Sequence, residues 1–402
     1  MNDELPKIIS VDDHVLEPPG VFQDRLPAKL KERGPRVERL PVAEMTFIGG
    51  KFSYKMGQPG EGPLADWWIW EDTAVPQTRL SAAVGVPREE VTVTPITYED
   101  MRPGCYDQKA RLEDMDANWT EAQMCFPSMP RFCGQVFSEM ADHELGLACV
   151  QAYNDWMVDE WCAGTGGRLI PLIVIPLWDA ELAATEVRRN AAKGVRAVAF
   201  CELPAQFGLP SIHSGYWDPF FAACDETGVV VNMHIGSSSK MPSTSPDAPP
   251  AVGSTMTFTN CMMSMCDFMF SGILPRFPNL KLTYAEGQLG WIPYILERAD
   301  KVWEHNRGWG DVGAAVPEPP STYYGKQMFA CFFDDEFGLT EAAIAKIGVD
   351  NILFETDYPH SDSTWPHTKE VATKLMGHLP DETVRKLVRG NAIRILDLDF
   401  QP

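Results

Sequence analysis

Eight short apolar, β-prone runs, most of them separated by stretches of helical periodicity, limit the folds open to this chain more than any other feature. The first is Ile8-Ile9-Ser10-Val11; the others cover residues 121–127, 169–175, 195–200, 228–234, 281–286, 328–332 and 351–357. Helical patterning falls at 111–120, 142–162, 179–192, 218–227, 256–270, 291–303 and 341–347, with two closing helices near 366–377 and 381–396. Repeated strand–helix alternation argues for a parallel sheet covered by helices. The run Leu169–Ile175 is apolar throughout, as expected of a strand buried on both faces. Eight units favour a closed (β/α)8 TIM barrel over an open doubly wound sheet. No glycine-rich phosphate-binding turn follows any run, which argues against a dinucleotide fold.

At 402 residues the chain fits one such barrel with insertions, read here as a single α/β domain over 1–402. The stretch 18–109 is rich in Pro and Gly and carries Trp67, Trp68 and Trp70. A loop of that length is unusual in a compact domain. It reads as a cap or lid insertion with little regular structure, packing over a pocket or, alternatively, as an arm on a partner subunit. Ser237–Val252, rich in Ser and Pro, reads as a mobile loop after the fifth strand.

A net charge of −22 excludes polyanionic partners such as nucleic acid and anionic membrane, and an anionic small substrate needs a local cation to offset that field. No apolar run is long enough to span a membrane. The ten cysteines are scattered without a CxxC pair, and the acidic start Met1-Asn2-Asp3-Glu4 lacks a leader-like apolar stretch. Reduced thiols in a cytoplasmic protein are therefore expected.

Four of the runs end in groups able to bind metal or move protons. The first ends in Asp12 and His14, the fifth in His234, the sixth in Glu286 and the eighth in Asp357. Residues two apart on a strand point to the same side, so Asp12 and His14 converge at one strand end. In a parallel barrel the C-terminal strand ends share one mouth, where catalytic groups gather. Each residue alone also has a structural reading: Asp12 or Asp13 as a cap, His234 as a core histidine, Glu286 as an N-cap, Asp357 as a turn residue. The opposite ends of the runs show no such enrichment, which favours the functional reading for the set. Glu17 reads either as a further ligand or acceptor or as a strand exit. His360, three residues past Asp357, faces the pocket or supports a carboxylate. His143, His213, His305 and His378 read as surface residues. Arg131, Arg196 and Lys240 are unranked partners for a substrate carboxylate.

The sequence resembles the amidohydrolase-related metalloenzymes of the aminocarboxymuconate-semialdehyde decarboxylase type, a group that includes the γ-resorcylate and 5-carboxyvanillate decarboxylases. The resemblance runs from Ile8 to Leu396. It is strongest in Val11-Asp12-Asp13-His14-Val15-Leu16-Glu17-Pro18, Gly287-Gln288-Leu289-Gly290-Trp291-Ile292-Pro293 and Phe354-Glu355-Thr356-Asp357-Tyr358-Pro359-His360. It implies a distorted (β/α)8 barrel with one divalent metal at its mouth, held by Asp12, His14, His234 and Asp357. Two departures stand out: many members have His-x-His where Asp12 and His14 stand, and commonly a histidine where Glu286 stands.

An oxygen and imidazole set of this kind suits Zn2+ or Mn2+. The first expectation is non-oxidative decarboxylation of an aromatic or unsaturated carboxylic acid, with Asp357 protonating the carbon that bears the carboxylate. The second is hydrolysis of a C–N, C–O or C–C bond by metal-activated water, with Asp357 as base and Glu286 or His360 as acid. An inactive barrel serving as a binding module is the third. The resemblance and the long insertion imply a homodimer or larger homo-oligomer.

Overall fold

The computed structural model of the chain describes residues 5–48 and 51–400; the acidic start Met1–Glu4 lies outside them. Strand β1 is Ile8–Val15, followed by β2 (Arg36–Ile48), β3 (Lys51–Met56), β4 (Leu64–Trp70) and β5 (Thr73–Pro76). After these come β6 (Thr120–Pro127), β7 (Leu169–Ile170), β8 (Leu172–Ile173), β9 (Ala197–Phe200), β10 (Val230–His234), β11 (Leu282–Ala285), β12 (Met328–Phe332) and β13 (Ile352–Phe354). Two parallel arcs, β1-β6-β7 and β8-β9-β10-β11-β12-β13, contain every run anticipated from the sequence. The run at 169–175 is split between β7 and β8 because Pro171 has no N–H to give to a ladder. The arcs meet again past the end of β13. There Asp357 N–H donates to the Asp12 carbonyl at 3.0 Å and His14 N–H to the Tyr358 carbonyl at 2.6 Å. The ring is thus a (β/α)8 barrel with its helices outside.

Local chemistry sets where the covering helices start and stop. Asp179 accepts from the N–H groups of Glu181 and Leu182 and opens the helix Ala180–Ala191, which buries Ala183, Ala184 and Val187. Gly228, at φ 72°, ends the helix Asp218–Thr227 in a left-handed cap that leads into β10. The helix expected over 142–162 is regular from His143 to Trp156 and widens into a π-turn over Met157–Trp161. The helix Pro320–Gln327 has no counterpart in the sequence reading. No helix among the described residues is long and apolar enough to cross a membrane.

The largest correction concerns 18–109, expected to hold little regular structure. It carries a four-stranded antiparallel sheet, ordered β3-β2-β4-β5. Its strands are hard to read because charges alternate with apolar residues, as in Arg36-Val37-Glu38-Arg39-Leu40, and Pro41 interrupts the longest of them. The tryptophans follow the two-residue period of β4. Trp67 packs with Val42 and Ala65 in a small core of the sheet's own, its Nε1 donating to the Leu40 carbonyl at 3.1 Å. Trp68 and Trp70 turn the other way into the barrel core, where Trp68 meets Phe22 edge to face at 5.6 Å. Each such ring removed from water contributes about 3 kcal/mol of transfer free energy, enough to dock the sheet. Asp66 accepts both nitrogens of the Arg39 fork at 2.8 and 2.9 Å and the Tyr98 N–H at 2.8 Å. The Tyr98 hydroxyl in turn donates to the Glu17 carbonyl at 2.6 Å, tying the sheet to the exit of β1.

Candidate metal centre

The site starts from the pleat of β1. Asp12 and His14 are both buried and project to one side, as alternation requires, despite a register shift between Ser10 and Asp13. His234 ends β10 opposite Ala285 of β11, so Glu286 lies one residue beyond on the neighbouring strand. Asp357 follows β13 at the point where the ring closes.

These side chains meet. His14 Nε2 lies 3.6 Å from Asp12 Oδ1, 3.5 Å from Asp357 Oδ1 and 3.2 Å from His234 Nε2. His234 Nε2 lies 3.4 Å from both Asp12 Oδ2 and Glu286 Oε1. Glu286 Oε1 is 4.0 Å from His14 Nε2 and 3.8 Å from His360 Nδ1. His360 Nδ1 approaches Asp357 Oδ1 to 2.9 Å. Two overlapping donor sets emerge: Asp12, His14, His234 and Glu286, and His14, Glu286, Asp357 and His360, each with its ligand atoms within 4.8 Å of one another.

Backbone strain aims two of these side chains. Glu286 at φ 55° and Asp357 at φ 51° are left-handed without being glycine, at a cost of about 1–2 kcal/mol each. Their surroundings hold them there. Buried Glu355 accepts the Glu286 N–H with its two oxygens at 3.1 and 3.3 Å. Asp13, on the opposite side of β1 from Asp12, accepts the Tyr358 N–H at 2.8 Å and the Thr356 hydroxyl. Arg111, wholly buried, donates to the His14 carbonyl at 2.6 Å and the Gly104 carbonyl at 2.6 Å, its guanidinium 4.2 Å from the centre of the Tyr358 ring.

The second ring nitrogen of His234 fixes its tautomer. Nδ1 lies 2.6 Å from the Ile235 carbonyl, which can only accept, so Nδ1 carries the proton and Nε2 offers its lone pair to the cluster. Phe132 stacks on the same ring at 4.1 Å and 10°. The His14 ring stacks on His360 at 3.7 Å.

The electrostatics favour binding of a cation. Burial, then Glu355, Glu286 and Asp357, raise Asp12 well above the usual carboxylate range. Burial and Glu286 do the same to Asp357 against the pull of His360. Burial and the neighbouring His360 and His234 hold His14 neutral, well below the usual imidazole range. His360 is the exception: although burial opposes it, Asp357 and Glu286 push it up to about 10. Both carboxylate oxygens of Asp12 are buried, and no hydrogen-bond donor among the described residues satisfies them. A divalent cation would relieve both problems, satisfying the oxygens and favouring ionised carboxylates. Four donors about 2.1 Å from a tetrahedral ion stand about 3.4 Å apart, close to the spacings measured between these atoms. Glu286 and His360 keep 14% and 21% of their side-chain surface, against 2% or less for Asp12, His14, His234 and Asp357, so they mark the open side.

Every residue singled out at a strand end from the sequence is therefore in one cluster, but the groupings differ from those expected. Glu286, expected as an acid, stands among the ligand-spaced donors, while Asp357 groups with His360. Glu17 stands in neither ligand-spaced set; it serves as an acceptor, its oxygens taking the N–H groups of Ser128 and Met129 at 3.0 and 2.8 Å. The reading of Ser237–Val252 as a mobile loop fails at its start, where Ser237 and Ser238 are buried. Ser237 Oγ accepts the Glu202 N–H, and Glu202 Oε1 accepts from Gly236 N–H at 3.0 Å, the Ser238 hydroxyl at 3.1 Å and Asn260 Nδ2 at 3.1 Å. Arg196 pairs with Asp397 at 3.4 Å, behind the N-terminal end of β9, while Arg131 lies at the mouth beside Phe132. His213 pairs with Asp267 and His378 bonds to the Leu339 carbonyl, apart from the cluster.

Sequence reasoning missed Glu202, Arg111 and Phe132, and the supporting roles of Asp13 and Glu355. Glu202 and Glu355 carry the signal used for the others, an acid at the end of an apolar run. Nothing local marks Arg111 or Phe132.

Comparison with known proteins agrees with this geometry. The chain is 25% identical over 357 residues to the γ-resorcylate decarboxylase of Rhizobium radiobacter, covering 82% of this chain and 97% of that relative. Its fold matches the crystal structure of an amidohydrolase from Mycobacterium avium subsp. paratuberculosis with a TM-score of 0.70 and 21% identity, over 98% of this chain and 100% of that one. It also matches, with a TM-score of 0.63 and 15% identity, a 5-carboxyvanillate decarboxylase from Novosphingobium aromaticivorans in complex with manganese and 4-hydroxy-3-methoxy-5-nitrobenzoic acid, over 99% and 100% of the two chains. The family model described as amidohydrolase matches residues 56–398, which take in β10, β11, β13 and the acids and histidines at their ends. A barrel closed at β1 and β13, a cluster of acids and imidazoles at its mouth, and a family match over most of its length together make this chain a member of the amidohydrolase family.

Proposed function

We propose that this chain is a metal-dependent, non-oxidative decarboxylase, a carboxy-lyase acting on an aromatic or unsaturated carboxylic acid. One observation carries the metal reading: the two buried, unsatisfied oxygens of Asp12 facing the Nε2 atoms of His14 and His234 at 3.6 and 3.4 Å. The choice of decarboxylation draws support from the γ-resorcylate decarboxylase that aligns over nearly its whole length. Asp12, His14, His234 and Glu286 hold one Mn2+ or Zn2+ ion, with manganese favoured by its presence in the 5-carboxyvanillate decarboxylase crystal. We assign Asp357, also implied as a ligand by the resemblance, to proton transfer with His360 beside the ion, its Oδ1 2.9 Å from His360 Nδ1 and 3.5 Å from His14 Nε2.

When bound, the ion supplies the positive charge that holds the substrate carboxylate and an adjacent oxygen. Asp357, protonated through His360 at 2.9 Å, gives its proton to the ring carbon that bears the carboxylate. The C–C bond then breaks, its electron pair restores the π-system, and CO2 leaves. His360, 2.9 Å away on the open side, orients Asp357 and returns a proton from solvent. Phe126 and Phe132, packed against His14 and His234, keep water from the reacting face.

The β2–β5 sheet is read as a cap on a single catalytic domain. Exposed apolar side chains on the β2–β3 hairpin and its neighbours, Met45, Ile48, Met56 and Leu64, support a homo-oligomer, checked by light scattering of the purified chain. Ten unpaired cysteines support a cytoplasmic location.

The deciding experiment offers a panel of ortho-hydroxybenzoic acids to the metal-loaded protein in D2O. Decarboxylation releases CO2 and leaves one deuterium at the vacated carbon. Hydrolysis, the competing chemistry, places 18O from labelled water in the product and releases no CO2. Asp357→Asn should keep its metal and lose roughly 10²–10⁴-fold in kcat.

A further inference from the structure

The two donor sets at the mouth differ in geometry as well as in membership. In the first, Asp12, His14 and His234 are sealed from solvent, and the two imidazoles stand 3.6 and 3.4 Å from Asp12, the spacing of corners around a tetrahedral ion. The second set shares His14 and Glu286 with the first and adds Asp357 and His360. A ring nitrogen has one lone pair, so His14 Nε2 serves a single ion. Glu286 can serve two, because a carboxylate carries two oxygens with several lone pairs. Its Oε1 stands between the sets, 3.4 Å from His234 Nε2 and 3.8 Å from His360 Nδ1. With His14 given to the first ion, Glu286, Asp357 and His360 remain as three donors facing one another.

Asp357 supplies the sign that something belongs among them. Its Oδ1 is buried and receives no aligned hydrogen bond among the described residues, although His360 Nδ1 is only 2.9 Å away. A pair this close and yet unaligned fits two neighbouring ligands of one six-coordinate ion. Donors about 2.1 Å from such an ion stand about 3.0 Å apart at a right angle and about 4.2 Å apart when opposite. His360 Nδ1 meets both limits, at 2.9 Å from Asp357 Oδ1 and 3.8 Å from Glu286 Oε1. Glu286 and His360 also keep solvent-exposed surface, so an ion can enter from the open side. Exposed Asp362, whose charge acts on both of them, adds a further carboxyl group at that entrance.

We propose that Glu286, Asp357 and His360 form a second, weaker site for a divalent cation such as Mn2+, bridged to the first by Glu286, and that an ion there stops turnover by occupying the Asp357 and His360 atoms that move the proton. The block on turnover rests on the decarboxylase reading; the binding site does not. The test strips the full-length protein with chelator and titrates it with manganese chloride in a calorimeter, with electron paramagnetic resonance of the same samples. Two ions per chain are expected, the second roughly 10-fold weaker or more, since like charges repel across the bridge. A carboxylate bridge couples the two spins, so the signal of the singly loaded protein should weaken and change shape at the second equivalent instead of doubling. His360→Ala should keep the first ion and lose the second. Asp357→Asn should do the same, and serves if the other variant does not fold. CO2 release from an ortho-hydroxybenzoic acid should rise with the first equivalent and fall with the second. One ion per chain, two uncoupled spins, or a second ion retained in a folded variant overturns the site. CO2 release with room for a single ion removes the second site alone. Two coupled ions with no CO2 release at any loading uphold the site and remove decarboxylation, and two coupled ions with undiminished turnover remove the block.

Discussion

Asp12 shows how a single side chain can be destabilising in itself and still define a site. Its two oxygens are buried with no donor among the described residues, beside four other carboxyl groups that push it towards neutrality. A bound divalent ion reverses that balance. Asp12→Asn removes the negative charge and presents an NH2 to the ion. Metal affinity should fall by more than the roughly 10–100-fold that loss of an outer partner costs, read by elemental analysis after dialysis. Arg111 makes the opposite case, a cation with every direction used. Its fork reaches two carbonyls, the Gln123 amide and the Cys125 sulfur. Arg111→Lys cannot span them, because a lysine offers a compact head without the planar fork. The expected cost is roughly 2–4 kcal/mol in denaturant unfolding, along with weaker metal retention as β1 loosens at His14.

At the scale of elements, the site depends on pieces that end strands rather than on the strands themselves. The turn after β10 is organised by Glu202 at the end of β9, which burial pushes up to about 7 against hydrogen bonds from Ser238, Asn260 and Gly236. An unfolded glutamate titrates near 4.5, so between about pH 4.5 and 7 the folded chain binds the extra proton. The stability that this group contributes is therefore complete below the lower value and is lost as pH rises through the upper one. Glu202→Gln keeps the oxygen that takes three of these bonds and removes the titration. Between pH 5 and 8 the wild type should lose stability relative to Glu202→Gln, by at most about 3 kcal/mol, measured as paired unfolding curves in buffers of matched ionic strength. A constant difference across that range would show that Glu202 titrates as an ordinary carboxylate.

Over the whole molecule the ion acts as a clasp. Its proposed ligands come from β1, β10 and the turn beyond β11, and its neighbour Asp357 from the seam that closes the ring. An ion bound only by the folded chain adds about 2.7 kcal/mol at a free concentration 100 times its Kd. Stripping it with chelator should lower the thermal midpoint by a few degrees, and manganese should restore it; an unchanged midpoint would show that the donors hold nothing. Sequence alone was enough for the barrel, because strands buried on both faces must be apolar along their length and the helices between them must be amphipathic. It was also enough to bring Asp12 and His14 together, since the pleat leaves no other choice. The cap sheet escaped notice because its strands mix charge and proline with apolar residues and dock through alternate tryptophans. Which donors share an ion was a tertiary decision. Glu286 joins the proposed ligand set because a positive φ turns it inward and Glu355, remote in sequence, holds its N–H. Glu17 leaves the candidate set because two amides of another loop claim its oxygens. A chain encodes the identity and local direction of its side chains within a few residues, but the field and the partners that assign their roles come from segments hundreds of residues away.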